Sequence, residues 1–446
     1  MAPLVSKQIV STLSQSLGLL VLILVTSLEA LFLLQKSPPI FHLINLSCFT
    51  IFFILKPYLS KKTHKIYLVD FSCLKPPSHC KVPFSKFLKN SSMIKGFDSE
   101  SVAFWPTSSL LPDRAKRLIS LQPCTTFLPK PTTMNTSKKS ICGFNPTPSL
   151  TSIVINHYSM KSDIKSFNLS GMGCSAGALG IDMAQNLLQI HKNSYAVVLS
   201  TEILSTGWYA GHEKPKLILN CLFRMGSAAI LLTNKNQTSK HPKYELFKTL
   251  RTNKSYDDRA YLSTIREEDS EGKLGVTIKR DLLQVAGETL RANVTVLGSS
   301  ILPLSEKFWH GVSIIRKRFL NKSAEIYVPN FKSVIEHFCL PASGRPVIRE
   351  VGKGLKLGDR EMEAAVMTLH RFGNQSSSAL WYELAYLEGK ERVKKGDKVW
   401  QLGMGTGPKC TSLVWKCIRP IEGGSKRGPW ADCIHRYPIG AYEEAN

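Results

Sequence analysis

Cys174 lies in the run Gly171-Met172-Gly173-Cys174-Ser175-Ala176-Gly177. A cysteine thiolate attacks carbonyl carbon and can carry an acyl group. Glycines on both sides remove side-chain bulk, which lets a substrate carbonyl come close. A cysteine among small residues is ordinarily an apolar filler, and most of the 11 cysteines in the chain are expected to be that. No Cys-x-x-Cys pair and no Cys/His zinc spacing occurs, so the cysteines are expected to be reduced thiols. A second glycine-rich run, Gly403-Met404-Gly405-Thr406-Gly407, lies between strand-like segments with no helix after it. That context argues against a dinucleotide-phosphate loop.

The elements around Cys174 suit a nucleophile. A strand-like stretch at 164–169 leads in, and an amphipathic helical stretch at 179–190 leads out. The thiol then sits at a helix N-terminus, where the dipole and free N–H groups favour thiolate. Further strand-like runs lie at 195–200, 225–233, 398–402 and 412–418. Their alternation with helical stretches predicts a layered α/β domain.

The chain has 446 residues, 43% of them hydrophobic, which is enough for one large domain or two medium ones. Its net charge is +25. The lysines and arginines are scattered, with no basic helix or aromatic-interleaved patch, so nucleic acid is not expected as a partner. A membrane surface and an anionic substrate such as a CoA ester account for the charge as well. Residues 17–34 are almost wholly apolar, and after the turn Gln35-Lys36-Ser37-Pro38 a second apolar run covers 39–55. No small-residue cleavage site follows the first run, so two spans are expected rather than a signal peptide. Lys56, Lys61, Lys62, His64 and Lys65 come next and place the rest of the chain on the cytosolic side. The sequons at Asn236 and Asn293 should then be unused.

Several long motifs resemble the plant 3-ketoacyl-CoA synthases, the membrane condensing enzymes of very-long-chain fatty acid elongation. They include Tyr67-Leu68-Val69-Asp70-Phe71-Ser72-Cys73, Asn145-Pro146-Thr147-Pro148-Ser149-Leu150 and the Cys174 run. They continue through Asn220-Cys221-Leu222-Phe223-Arg224-Met225-Gly226, His370-Arg371-Phe372-Gly373-Asn374 and Leu380-Trp381-Tyr382-Glu383-Leu384-Ala385-Tyr386. The resemblance implies a thiolase-like α/β fold of two related halves behind a transmembrane helical hairpin. Residues 1–60 would be the anchor, with spans at about 17–34 and 39–55. Residues 61–325 would be the N-terminal half with the nucleophile, 326–422 the C-terminal half and 423–446 a tail.

The implied chemistry is decarboxylative Claisen condensation. Cys174 takes the acyl group from an acyl-CoA, and the carbanion left when malonyl-CoA loses CO2 attacks it. No metal or redox cofactor is implied. Asn374 matches the family's assisting asparagine, and His337 and His370 match family histidines, each of which reads more readily as a core histidine than as a chemical one. The resemblance also implies the endoplasmic reticulum membrane, partner enzymes of an elongase complex, and a homodimer.

The chain departs from the family in two places. The family's catalytic histidine, in His-Phe-Cys-x-His-Ala-Gly-Gly-Arg, is Pro341 here, within His337-Phe338-Cys339-Leu340-Pro341-Ala342-Ser343-Gly344-Arg345. A proline side chain neither gives nor takes a proton. A further family histidine is Asn253. The second departure is the segment 105–142, which is shorter than the family's and rich in Ser, Thr, Pro and basic residues. Read in a shifted frame, its middle resembles the family again, which predicts a frameshift or splice error that rejoins near Gly143. Three readings are open: an active condensing enzyme, a catalytically impaired homologue acting as a non-catalytic or regulatory elongase subunit, or a truncated, non-functional product of a mispredicted gene.

Overall fold

The computed structural model describes residues 64–75, 148–202, 208–235, 241–279, 281–323 and 325–439, with short pieces between 27 and 119. Most of the apolar runs at 17–34 and 39–55 lies outside the described residues; those described, 27, 28, 40, 42–47 and 50, are helical. Among the described residues no helix is long and apolar enough to cross a membrane. Residues Met1–His64 and Lys65–Asn446 form separate units. The second unit carries every described strand and every candidate site residue.

Strand β1 (Tyr67–Cys73) buries Leu68 and Val69 and leads the first motif into a sheet. Strands β2 (Lys81–Pro83) and β3 (Arg117–Ile119) pair with each other, and β3 is the only described part of the departing segment 105–142. Helix α1 (Leu150–His157) is capped by Ser149, whose hydroxyl accepts from the Ser152 N–H. Residues 164–169, expected as a strand, are irregular, with Ile164, Phe167 and Leu169 exposed. β-branched and aromatic residues favour extended backbone, but a strand also needs a ladder partner, and none pairs there among the described residues.

Helix α2 (Ala176–Ile190) starts three residues before the expected 179. Strand β4 (Tyr195–Thr201), helix α3 (Lys214–Leu222), strand β5 (Ser227–Thr233) and strand β6 (Tyr244–Asn253) come next. Strands β7 (Thr264–Glu268) and β8 (Leu274–Ile278) make a small separate hairpin. Helices α4 (Leu282–Ile301) and α5 (Leu304–Ile315) precede strand β9 (His337–Cys339). Helices α6 (Arg345–Gly354), α7 (Asp359–Phe372) and α8 (Ala379–Gly389) then lead to strands β10 (Lys398–Gly405) and β11 (Lys409–Cys417).

The main sheet has seven strands in the order β4-β5-β1-β6-β11-β10-β9. All neighbours are antiparallel except β9 and β10. Burial follows position in the sheet. Central β11 is buried along nearly its whole length, from Cys410 to Trp415, as a strand covered on both faces must be. Edge strand β4 alternates, and Tyr195, Val197 and Leu199 are exposed. Helix α8 is apolar nearly all round and lies in the core, as such a helix must. Its Trp381 packs on Trp415 of β11. Its two carboxylates do not go to solvent: Glu388 pairs with Lys243 and accepts from Tyr244 Oη at 2.9 Å, while Glu383 is fully buried.

The sequon residue Asn293 is also core. Its amide donates to Thr252 Oγ1 at 3.1 Å and to the Cys410 carbonyl at 3.2 Å, and it accepts from Ser412 Oγ at 2.6 Å. It ties α4 to β6 and β11, and in the folded protein its side chain is not available for glycosylation. Asn236 lies outside the described residues.

Candidate active site

Cys174 occupies a single 3-10 turn, Gly173–Ser175, that runs into α2. Gly171 at φ +70° and Gly173 at φ +57° turn the chain in the left-handed region, where a side chain is strained. At Gly173 space forbids one as well. A Cβ on Gly173 would lie 2.7 Å from Thr406 Oγ1. A Cβ on Gly405 would run into the Met172 carbonyl and Ser175 Oγ, and one on Gly177 into the Ser377 carbonyl. The glycine run at 403–407 therefore ends β10 against the nucleophile turn, and Gly407 at φ +60° closes the hairpin to β11.

Asn374 reaches the thiol from the end of α7. Its N–H donates to the Leu222 carbonyl at 3.0 Å, and its carbonyl accepts from the Arg224 N–H at 2.8 Å. Two of the long sequence motifs thus meet backbone to backbone. Gly373 at φ +72° leaves room for the Arg224 side chain. Arg224 is buried and donates to the Asn220 and Phe223 carbonyls, and burial pushes its pKa down to about 10. Asn374 Oδ1 accepts from the Ser376 N–H at 2.8 Å, which turns the side-chain NH2 toward Cys174, a hydrogen-bond partner of the sulfur.

Ser376 and Glu202 carry no signal of their own in the sequence. Ser376, at φ +53°, is hydrogen-bonded to the Cys174 sulfur and also donates to Glu202 Oε2 at 2.8 Å. Beside it Ser377 Oγ accepts from Ser200 Oγ at 2.8 Å. The only sequence signal for this group is the Ser376-Ser377-Ser378 run directly after Asn374 and Gln375.

The Cys174 thiol is pushed up to about 11. Burial is the main cause, and the Glu202 charge adds to it; hydrogen bonds from Ser376, Asn374 and the Cys174 N–H act in the opposite direction. The helix position was expected to favour thiolate. Desolvation of the charged form outweighs that benefit.

The two histidines are engaged elsewhere. His337 Nε2 lies 2.9 Å from Asp397 Oδ2 at the start of β9. His370 Nδ1 lies 3.1 Å from Tyr437 Oη, and burial, with Arg345 and Arg371 nearby, pushes its pKa down. Pro341 is buried in the turn between β9 and α6. The preceding Leu340 N–H donates to Glu383 Oε2 at 2.8 Å, and the other Glu383 oxygen has no partner among the described residues. Burial drives the Glu383 carboxyl well above the usual carboxylate range. Asn253 ends β6 on the surface, where its Oδ1 accepts from the Ser255 N–H and hydroxyl.

A sequence profile described as FAE1/Type III polyketide synthase-like protein matches residues 58–110 and 134–319. A second, 3-Oxoacyl-[acyl-carrier-protein (ACP)] synthase III C terminal, matches 332–417. The 3-ketoacyl-CoA synthase 6 of Arabidopsis thaliana is 42% identical over 430 residues, covering 90% of this chain and 86% of that protein. The chain belongs to the 3-ketoacyl-CoA synthase family. The 3-ketoacyl-CoA synthase 5 of the same plant is 41% identical, with 90% of this chain and 87% of that protein covered. The interruption in the family profile, 111–133, falls inside the departing segment.

Among solved structures, the C-terminal type III polyketide synthase domain of Steely1 from Dictyostelium superposes with a TM-score of 0.57 at 14% identity. The match covers 79% of this chain and 99% of that one. The tetrahydroxynaphthalene synthase of Streptomyces coelicolor A3(2) gives 0.55 at 13%, with coverage of 79% and 99%. These likenesses show the fold of this family member to be thiolase-like α/β.

Proposed function

We propose that the protein is a 3-oxoacyl-CoA synthase that condenses malonyl-CoA with a long-chain acyl-CoA in very-long-chain fatty acid elongation. The observation that carries this reading is Cys174 on its glycine-flanked turn with the Asn374 amide beside the sulfur, in a chain of this family. The Cys174 sulfur attacks the acyl-CoA thioester carbonyl, and CoA leaves as its thiol. Malonyl-CoA then loses CO2, and the carbanion attacks the acyl-enzyme carbonyl. The new carbon–carbon bond forms as the carbon–sulfur bond breaks, which returns Cys174 and releases a 3-oxoacyl-CoA two carbons longer. The Asn374 side chain donates to a substrate oxygen as charge develops, without itself titrating. This chemistry calls for no metal or redox cofactor.

Pro341 supports a second reading, a catalytically impaired homologue that serves as a regulatory elongase subunit. Nothing at position 341 moves a proton, and desolvation pushes the half-buried thiol up to about 11. One experiment separates the two. Membranes containing the full chain are given labelled malonyl-CoA and a panel of acyl-CoAs, beside Cys174→Ala. Product that vanishes in Cys174→Ala establishes condensation. No product from a folded parent favours the regulatory subunit.

The finer assignments belong to the same proposal. Residues 17–34 and 39–55 are proposed as a hairpin in the endoplasmic reticulum membrane, with the catalytic unit facing the cytosol. Their apolarity and the lysines after them support this. Halves at 61–325 and 326–422 are supported by the strand order, in which β4, β5, β1 and β6 meet β11, β10 and β9 at one ladder. Other elongase enzymes as partners and a homodimer rest on the family resemblance. The departing segment 105–142 is proposed to arise from a frameshift or splice error, a reading supported by the interrupted family profile and decided by sequencing the transcript.

A further inference from the structure

Helix α5 is held to the protein by the wrong face for a soluble domain. A surface helix normally turns its apolar stripe to the core and its polar residues to water. Here the polar residues face inward. Glu306 accepts from Tyr327 Oη at 2.9 Å and from the Asn330 N–H at 2.7 Å. His310 Nδ1 donates to the Tyr327 carbonyl at 2.8 Å, and Ser313 Oγ accepts from the Tyr327 N–H at 2.9 Å. No residue of α5 is buried. The apolar positions face out: Leu304 is 81% exposed, Phe308 64% and Trp309 58%. The stripe continues through Ile315 and into the following π-turn Arg316–Leu320, where Phe319 is 75% and Leu320 81% exposed. Leu304, Phe308, Val312, Ile315 and Phe319 recur at helical spacing, so they form one stripe.

The charges beside the stripe define what covers it. Arg316, Lys317 and Arg318 follow the helix directly, and Lys322 follows the turn. The one carboxylate of α5, Glu306, is committed inward. Aromatic and aliphatic side chains on one face, flanked by a basic cluster, match an anionic bilayer surface. The apolar stripe enters the acyl boundary, while arginine and lysine reach the phosphates with their stems along the apolar surface. We propose that α5 and its π-turn form a membrane-docking element that lies in the surface of an anionic lipid bilayer. This element acts independently of the N-terminal hairpin.

The test must separate this element from any anchor at residues 1–60, so flotation of the chain with vesicles does not serve. The full chain carrying p-benzoyl-phenylalanine at Phe319, and separately at Leu304, is reconstituted into vesicles of phosphatidylcholine with phosphatidylserine and irradiated. Both positions should give lipid adducts, at least fivefold fewer when phosphatidylserine is left out or when Arg316, Lys317 and Arg318 are changed to Glu. Adducts only to a second protein chain, no lipid adduct, or adducts indifferent to phosphatidylserine and to these charges overturn the proposal. A second measurement needs no unnatural residue. Of the seven tryptophans, Trp381, Trp400, Trp415 and Trp430 are fully buried, so in a chain with Trp105 and Trp208 changed to Phe brominated lipids should quench mainly Trp309. Replacement by Trp309→Phe should remove at least half of the quenchable fluorescence, and unchanged quenching overturns the proposal as well.

Discussion

The Ser376 hydroxyl donates to Glu202 Oε2 at 2.8 Å while it is also hydrogen-bonded to the Cys174 sulfur. One hydroxyl has one proton. When that proton serves Glu202 it is not available to a thiolate, and the Glu202 charge itself opposes thiolate formation. Glu202→Gln removes the charge and keeps the shape. The Cys174 pKa should fall below about 11, and alkylation of Cys174 by iodoacetamide at pH 8 should become several-fold faster. The labelled peptide is identified by mass spectrometry, and an unchanged or slower rate would contradict the coupling.

The parent thiol should show a late titration. Burial raises the pKa by disfavouring the charged form, so the neutral thiol dominates everywhere below about 11. Only on the order of one molecule in ten thousand is thiolate at pH 7. The alkylation rate of Cys174 should climb about tenfold per pH unit between pH 7 and 10. An inflection near the free-cysteine value of about 8.5 is the result that would sink this expectation.

Pro341→His restores a titrating side chain in the turn between β9 and α6. Condensation by the variant should exceed that of the parent by a hundredfold or more, in line with the roughly 2.7–4 kcal/mol that one transition-state donor contributes. The assay is product formation from labelled malonyl-CoA at saturating acyl-CoA. Equal rates in parent and variant, with Cys174 essential in both, would show that the site works without an imidazole at this position.

Asn293→Ala should leave Ser412 Oγ and the Cys410 carbonyl without their buried partner. Each orphaned group costs about 1–3 kcal/mol, so the variant should lose roughly 2–5 kcal/mol of stability. Thermal unfolding of the detergent-solubilised protein measures it. Conservative Asn293→Asp should also destabilise, because it brings a carboxylate up to the Cys410 carbonyl.

The place of Cys174 was legible in the sequence, because glycine spacing and a 3.6-residue apolar period are local properties of the chain. Asn374 and Pro341 were legible through the family motifs. The strand expected at 164–169 was not realised, because a strand is completed by a partner rather than by its own residues. The direction of the Cys174 titration was set elsewhere too. A helix start favours thiolate locally, but burial by α2, the Ser376–Ser378 turn and the end of β10 opposes it more strongly. Glu202 stands 174 positions from the serine that holds it, and no local pattern records that meeting. For α5, the amphipathic period is written in the sequence. Only the tertiary structure decided which face is docked, because Glu306, His310 and Ser313 found their hydrogen-bond partners in the chain at 327–330 and turned the apolar stripe outward.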